Sequence, residues 1–190
     1  MPASQRHLRC RAFAAVLAAL LTLRAAYAEV SEYDVKAAFL LNIAKYTDWP
    51  PQAFSGPNAP IVIAILGDDP FGVMLDRLVQ GRVINERSIV VRRSKRVAEV
   101  RGAHVVFIGA SESERAASIC ASLAESRAVC VGDTAETGAF TGIHFSIENG
   151  KVAFSVNLAA VKKSGVAISS KLLRLAKSVN GAPVGEKTEP

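Results

Sequence analysis

The chain contains few of the residues that build metal sites or activated nucleophiles. It has three histidines and three cysteines in 190 residues, with no Cys/His cluster and no His-x-x-x-His spacing. His104 and His144 each stand alone in a predicted strand, where histidine serves packing more often than metal binding. A Gly-x-Ser-x-Gly elbow and a Ser-x-x-Lys motif are also absent. We therefore predict a protein that is not an enzyme, with no catalytic residues, no metal and no cofactor.

The chain also lacks a complete phosphate-binding loop. The sequence GDDPFG, residues 67–72, follows a predicted strand where such a loop would lie. It has neither the GK[ST] ending nor the G-x-G-x-x-G spacing. Asp68 and Asp69 would repel a phosphate, and they are favourable near the start of a helix. The sequence therefore does not predict a nucleotide-dependent activity.

The one long apolar run belongs to an export signal. Three arginines precede the apolar residues 12–23, which are followed by an Ala-Tyr-Ala cleavage site at residues 26–28. A run of this length is too short to span a bilayer comfortably. We expect cleavage near Ala28/Glu29 and export of the mature protein. The predicted organisation is a signal peptide at residues 1–28, one domain at 29–180 and a flexible tail at 181–190.

Much of the basic charge lies in this export signal. The formal charge of +6 falls to +2 without residues 1–28, which carry four arginines and no acid, so nucleic-acid binding loses its main support. One basic segment remains at residues 82–101. It is either a solvated strand edge that deters edge pairing or a contact for an acidic partner or lipid head groups. For the second interpretation the candidates are Arg92, Arg93 and Arg96.

Two cysteines, Cys120 and Cys130, remain after the export signal. In an oxidising compartment an even pair is a disulfide candidate. Closing a loop of about ten residues would stabilise the fold by roughly 2–3 kcal/mol. The alternative is a pair of buried free thiols, since free cysteine packs like a small hydrophobe. The sequence does not decide between the two.

Alternating strand and helix patterns predict the fold class. Continuous apolar runs at residues 61–66, 104–109 and 129–132 are typical of strands buried on both faces. Their alternation with helical segments predicts one Rossmann-like α/β domain, with a mostly parallel sheet and helices on both faces. Asn149-Gly150 between two alternating runs predicts a C-terminal antiparallel hairpin at one edge of the sheet. The last helix is expected over about residues 169–179.

The domain is predicted to open with a helix over about residues 32–46. Ser31 and Asp34 have capping-box spacing, and Pro50-Pro51 prevents the helix from continuing. Its polar residues lie on opposite sides of a helical wheel, which indicates packing against the sheet along most of its girth. The aromatic residues of this segment are either core residues or anchors for a partner. They are Tyr33, Phe39, Tyr46 and Trp49.

Small and polar residues follow the predicted parallel strands. In open α/β sheets, ligands bind in the crevice outside the carboxyl ends of the strands. The candidates for lining such a crevice are Gly67, Asp68, Gly109, Ser111 and Gly132. A periplasmic small-molecule binding protein is therefore one functional alternative.

Three segments together resemble the YfiR-like family of periplasmic proteins. They are EYDVKAAFLLNIAKYTDWP after the export signal, the SE that opens a helix after VVFIG, and FSVNLAAVKKSGVAISSKLLRLA near the end. The similarity covers essentially the whole chain after the export signal. The last block contains Asn157, Ser169, Ser170 and Lys171, which belong to the family motif or simply cap the hairpin exit and the last helix.

This resemblance implies a Rossmann-like domain with a regulatory role and no nucleotide-dependent catalysis. It implies repression of an inner-membrane diguanylate cyclase through the periplasmic portion of the cyclase, and sequestration of the repressor by an outer-membrane lipoprotein. Cyclic-di-GMP output and biofilm formation would then follow the state of the cell envelope. A homodimer is left open. Some members of the family carry two disulfides, whereas this chain can form at most one after cleavage.

Overall fold

The computed structural model describes residues 31–179 and 182–183. The predicted signal peptide and most of the predicted tail lie outside these residues. The helices are α1 (Glu32–Lys45), α2 (Val73–Val79), α3 (Val97–Val100), α4 (Ala116–Ala124), α5 (Leu158–Lys163) and α6 (Ser170–Leu173). The strands are β1 (Thr47–Asp48), β2 (Ile61–Leu66), β3 (Val83–Ile84), β4 (Arg87–Ser94), β5 (Val105–Ile108), β6 (Val129–Gly132), β7 (Ile143–Glu148), β8 (Lys151–Val156), β9 (Ala167–Ile168), β10 (Ser178–Val179) and β11 (Ala182–Pro183). Single 3₁₀ segments lie at Pro51–Ala53 and Ala110–Arg115.

Nine of these strands form one sheet in the order β11-β10-β8-β7-β6-β5-β2-β4-β3. The central strands β4, β2, β5, β6 and β7 are all parallel to their neighbours in this series. Antiparallel pairing begins where β7 meets β8 and where β3 meets β4. The predicted α/β class with a mostly parallel sheet is confirmed, and the predicted C-terminal hairpin lies towards one edge, where β10 and β11 extend the sheet beyond β8.

The sheet separates two hydrophobic cores. Because side chains alternate across a strand, Ile61, Ile63 and Ile65 of β2 face the core that α1 and α2 cover. Val62 and Ala64 face the opposite core, beneath α3 and α4. We call the second side the α3/α4 face. Burying each large aliphatic side chain of this kind stabilises the fold by about 1.5–3 kcal/mol.

The hairpin of β7 and β8 has the predicted turn. Asn149 and Gly150 both adopt positive φ, 49° and 73°, which matches the right-handed twist of the strands they join. The pairing brings Phe145 opposite Phe154, and both side chains are buried in the α1 core. Local turn chemistry therefore determines the register of this hairpin.

The prediction of a last helix over residues 169–179 is wrong beyond Leu173. The backbone N–H of Lys177 donates to the carbonyl of Phe154 at 2.8 Å, and β10 then pairs in parallel with β8. Leu172 and Ala176 are buried, whereas Leu175 is exposed. Pairing with the free edge of β8 satisfies backbone groups that a longer helix would have left open. Beyond β10, the two residues of β11 add a short antiparallel strand.

Candidate functional site

The two most specific family-like segments meet in a small two-stranded ribbon. Thr47 and Asp48 of β1 pair antiparallel with Ile168 and Ala167 of β9. The backbone N–H of Ser169 extends the ladder by donating to the carbonyl of Tyr46 at 2.9 Å. We call this the β1–β9 ribbon. It joins the end of α1 to the start of α6, which lie more than 100 residues apart in the chain.

Proline determines where the first strand of the ribbon begins and ends. Pro50 and Pro51 have no backbone N–H, and proline also disfavours helix in the residue before it. The chain therefore leaves α1 at Lys45, runs extended through Asp48, and makes one 3₁₀ turn at Pro51–Ala53. The segment from Tyr46 to Pro50 therefore contains a short extended strand, β1, whose backbone is available for pairing.

Polar atoms without partners concentrate on this ribbon. Thr47 Oγ1, Trp49 Nε1 and Ser169 Oγ are all buried and make no hydrogen bond within the described residues. Thr47, Asp48 and Trp49 line an open cavity of about 280 Å³, together with Phe54 and Arg87. Buried polar groups are hydrogen-bonded in most proteins, and leaving one unpaired costs about 1–3 kcal/mol. The ribbon and the adjoining Trp49 therefore hold three of the five buried side-chain polar atoms that lack a partner among the described residues.

The family-block residues differ in their local roles. The Asn157 side chain accepts a hydrogen bond from Ala160 N at 3.1 Å and caps α5, so the capping interpretation holds for it. Ser169 lies at the N-cap position of α6, but its hydroxyl makes no capping bond. Ser170 and Lys171 are exposed beside it. Capping therefore explains Asn157. It does not explain Ser169, Ser170 and Lys171, which adjoin the ribbon.

The aromatic residues of the first segment are partly committed to packing. Phe39 packs on Phe154, with ring centroids 5.2 Å apart. Tyr33 packs edge-on against Phe71, and Trp49 packs edge-on against His104 at 5.3 Å. All three are half-buried against the core, as is Tyr46, and each keeps part of its surface exposed. Tyr46 and Trp49 flank the ribbon, whereas Tyr33 lies near the N-terminal end of α1.

A buried charge cluster holds the N-terminal part of α1 against the sheet. Lys36 is 3% exposed, and its Nζ contacts Asp133 Oδ2 at 2.6 Å and the Glu32 carboxylate. The Tyr33 hydroxyl donates to the same Asp133 oxygen at 3.2 Å. Asp133 directly follows β6, so the cluster lies at the carboxyl ends of the parallel strands.

The protonation states of this cluster follow from burial and charge. Burial alone would lower the pKa of Lys36, but hydrogen bonds to Asp133 and Glu32 outweigh it and raise that pKa above its ordinary 10.5. Burial, followed by the Asp133 charge, raises the pKa of Tyr33. At neutral pH Lys36 is therefore an ammonium and Tyr33 a neutral phenol. A structural anchor is the simplest role for it.

The basic segment at residues 82–101 is neutralised only in part, through ion pairs of Arg93, Lys95 and Arg96. Arg93 binds Asp69 at 2.6 Å and the Asp76 carboxylate at 2.7 and 3.0 Å, and this lowers the pKa of Asp76. Arg96 pairs with Glu99. Within residues 31–179, Arg92 makes no ion pair with a carboxylate. Of the three predicted basic contacts, Arg92 alone keeps its charge free for a partner.

The predicted crevice residues lie at the carboxyl ends of the strands, but side chains occupy the space between them. The Ser111 hydroxyl accepts from Asp68 N at 2.9 Å, and a Cβ at Gly67 would lie 2.5 Å from Ser111 Oγ. A Cβ at Gly109 would lie 2.5 Å from the carbonyl oxygen of Asp68, and one at Gly132 would lie 2.3 Å from the Thr137 hydroxyl. These loops pack directly on each other, so the geometry does not favour a ligand there. Ligand binding at this edge stays a prediction.

The structure brings the two cysteines together as free thiols. Cys130 is buried in β6, and Cys120 is half-buried in α4. The interaction between the two thiols lowers the pKa of Cys120, and together with burial it raises the pKa of Cys130. Both line an open cavity of about 260 Å³ whose wall includes six alanines. The disulfide between Cys120 and Cys130 stays a prediction. It would require the two thiols to lie close together, and the fold places them so.

Sequence reasoning treated His104 only as a lone strand residue. Its Nδ1 accepts a hydrogen bond from Val62 N at 3.1 Å, and its ring lies between Trp49 and Phe54. Burial, helped by the charge of Arg87, lowers its pKa to about 4. Lys36 and Asp133 were also missed as a pair, although a charge inside an apolar helix and an acid directly after a buried strand were visible signals. In the described part of the chain, no group of three or more His, Cys, Asp or Glu side chains could hold a metal ion.

The fold is that of a Rossmann-like α/β domain, and two of its three family-like segments pair in the β1–β9 ribbon. The chain belongs to the YfiR/HmsC-like family, whose sequence model matches residues 33–177. This is the family that the three segments resemble, a family of periplasmic regulators of diguanylate cyclases. A comparison with curated proteins finds no match to the chain. Across residues 31–179 and 182–183, none of the helices has the length and apolar character needed to cross a membrane.

One solved structure supports the fold. A conserved domain protein from Vibrio cholerae O1 biovar eltor has a TM-score of 0.50 at 10% identity, over 78% of this chain and 60% of that one. This chain therefore spans less than two thirds of that protein. The ABC domain from Streptococcus pneumonia in complex with L-Trp has a TM-score of 0.43 at 9% identity, over 67% of this chain and 57% of that one. The second likeness is too distant to support any inference.

Proposed function

We propose that this protein represses an inner-membrane diguanylate cyclase by binding its periplasmic portion. Repression of this kind links the state of the cell envelope to cyclic-di-GMP and biofilm formation. Family membership supports the regulatory class. The observation that carries the proposal is the convergence of the two family-like segments in the β1–β9 ribbon, with three unpaired polar atoms on it.

The ribbon has the composition of a contact surface. Tyr46 and Trp49 supply half-buried aromatic surface, while Asp48 and Lys171 supply exposed charges of opposite sign. Aromatic anchors surrounded by polar groups are typical of the energetic centres of interfaces. The Ser169 hydroxyl is buried, so it gains a hydrogen bond only where binding rearranges the ribbon. We therefore assign the cyclase contact to this surface.

Gene deletion and complementation test the proposal. Deletion is expected to raise cyclic-di-GMP, and the unaltered gene should restore repression. Asp48→Lys and Lys171→Glu reverse exposed charges on the ribbon and should fail to restore it, while their melting temperatures stay close to that of the unaltered protein. The matched control is Lys151→Glu, which reverses an exposed charge in the hairpin.

Two results would count against parts of this assignment. Full repression by both ribbon variants would show that the contact lies elsewhere on the protein. Unchanged cyclic-di-GMP after deletion, together with no membrane protein recovered by crosslinking from positions 46 and 49, would contradict the regulatory function itself. Crosslinking to an outer-membrane lipoprotein or to a second copy of the chain would identify the other partners that the family resemblance raises.

A further inference from the structure

An open cavity on the α3/α4 face carries an uncompensated positive charge. It measures about 300 Å³ and lies towards the amino ends of β2 and β5, opposite to the end where ligands bind in most α/β sheets. Arg92 from β4 and Arg101 from the loop after α3 line it, together with His104. The remaining wall is made mainly by residues 53–60 and Val62.

The histidine contributes an unused donor. His104 is 3% exposed, and its Nδ1 accepts from Val62 N, so in the neutral ring the proton lies on Nε2. Nε2 is buried and has no hydrogen-bond partner among the described residues. The ring cannot turn freely, because Phe54 lies 4.6 Å from it and Trp49 lies 5.3 Å from it, centroid to centroid. An immobilised N–H without an acceptor is costly unless a ligand uses it.

The arginines keep their charge available. Arg92 makes only long contacts, 3.3 and 3.5 Å, to the carbonyls of Glu99 and Arg101. Within residues 31–179, neither Arg92 nor Arg101 pairs with a carboxylate, and the nearby Glu99 is occupied by Ser94 and Arg96. Arg87 adds a third positive charge behind Phe54, where it stacks 3.8 Å from the ring. Donors of this kind match the oxygens of a phosphate group.

We propose that this cavity binds a phosphate group, with Arg92, Arg101 and the Nε2–H of His104 as donors. The cavity lies at the small end of the range for ligand sites, which suits a small phosphomonoester or the head group of an anionic phospholipid. Arg87 stays in its structural role, because its Nη1 already donates to the carbonyls of Gly56 and Ala59. The proposal does not depend on the cyclase contact.

Titration with inorganic phosphate tests the site directly. Phosphate is added at constant ionic strength with chloride as the reference anion, and the His104 Nε2–H resonance is followed by NMR. It should shift in a saturable manner. Arg92→Gln and Arg101→Gln should each weaken binding by at least about tenfold, because each removes a charged donor. Arg82→Gln changes an exposed arginine outside the cavity and should leave the affinity within about twofold.

Vesicle binding separates the two sources of phosphate. Vesicles containing phosphatidic acid are compared with pure phosphatidylcholine. Binding that is lost in Arg92→Gln and Arg101→Gln but kept in Arg82→Gln assigns the site to a lipid head group, whether or not free phosphate binds. Phosphate binding without vesicle binding assigns it to a soluble phosphate. If the His104 resonance does not respond and vesicles do not bind, or if all three variants behave alike, the proposal is overturned.

Discussion

Replacing Lys36 by methionine removes the centre of the buried charge cluster on α1. The change keeps an unbranched side chain that is one heavy atom shorter, and it deletes the charge. It leaves the Asp133 carboxylate, which is 6% exposed, with the Tyr33 hydroxyl as its remaining side-chain partner. Glu32 is 43% exposed and can turn to water at little cost. The penalty should therefore come almost entirely from Asp133.

The size of the effect separates a buried pair from a surface one. An exposed ion pair contributes about 0–1 kcal/mol, whereas removing one partner of a buried pair costs about 3–5 kcal/mol. The tyrosine hydroxyl relieves part of this cost, so we expect Lys36→Met to lower the free energy of unfolding by about 3 kcal/mol. Since domains of this size have a total stability of about 5–15 kcal/mol, the loss should be evident.

A double-mutant cycle measured by urea unfolding checks this reasoning. Trp49, the one tryptophan in the sequence, reports the transition by fluorescence. Lys36→Met and Asp133→Leu should each destabilise the fold, while the double variant should recover much of the loss because no charge is left buried. Lys45→Met, at an exposed position of the same helix, is the control. A cost below about 1 kcal/mol for Lys36→Met, or one equal to that of the control, would refute the argument.

The same cluster has a pH signature. The pKa of Lys36 is raised in the folded protein, so the folded state binds its proton more tightly than the unfolded chain does. The stability from this group is therefore present below the ordinary pKa of 10.5 and is lost as the pH rises through the folded value. Urea midpoints measured from pH 9 upwards should fall more steeply for the unaltered protein than for Lys36→Met.

Three further predictions concern other residues. The pKa of His104 is lowered to about 4, so stability should fall by about 2–3 kcal/mol as the pH drops from 6.5 towards 4; urea unfolding across this range, with an NMR titration of the ring, measures it, and a ring that titrates near 6.5 would contradict it. Asn157→Ala removes the cap of α5 and should cost about 0.5–2 kcal/mol in thermal unfolding, whereas Asn157→Asp should keep most of the stability. Cys120 is half-buried and has a lowered pKa, whereas Cys130 is buried, so iodoacetamide near pH 8 should label Cys120 well before Cys130; peptide mapping by mass spectrometry measures this, and equal labelling would contradict it.

Features specified by neighbouring residues could be predicted from the sequence. The Asn149-Gly150 turn and the end of α1 before Pro50 depend on backbone conformations that a few residues determine. The buried strands were visible because both faces of a central parallel strand must be apolar. The last helix was misjudged because the spacing of Leu172 and Ala176 suits a turn followed by a strand as well as a helix. Residues 178–179 form a strand because they pair with the free edge of β8.

The candidate surfaces depend on contacts between distant segments. The β1–β9 ribbon pairs two-residue strands that lie more than 100 residues apart, and no local pattern predicts which of two short edges will meet. Arg93 forms ion pairs with Asp69 and Asp76. Arg92, next to it, lies on the other face of the sheet and forms no ion pair among the described residues. Strand alternation implies that the two face opposite ways. Only tertiary packing decides which side offers carboxylates.

By itself, the sequence determined the fold class, the family, the opening helix and the hairpin, because each depends on local pattern or on motifs kept in linear order. The tertiary structure decided that the segment before Trp49 and the segment around Ser169 pair in the β1–β9 ribbon. It also decided that the Ser111 and Thr137 side chains occupy the predicted crevice. It also showed that His104 keeps a buried N–H beside two unpaired arginines. The physical reason is that ion pairing, hydrogen bonding and burial of a side chain depend on which distant residues contact it. The packing of the whole chain determines those contacts.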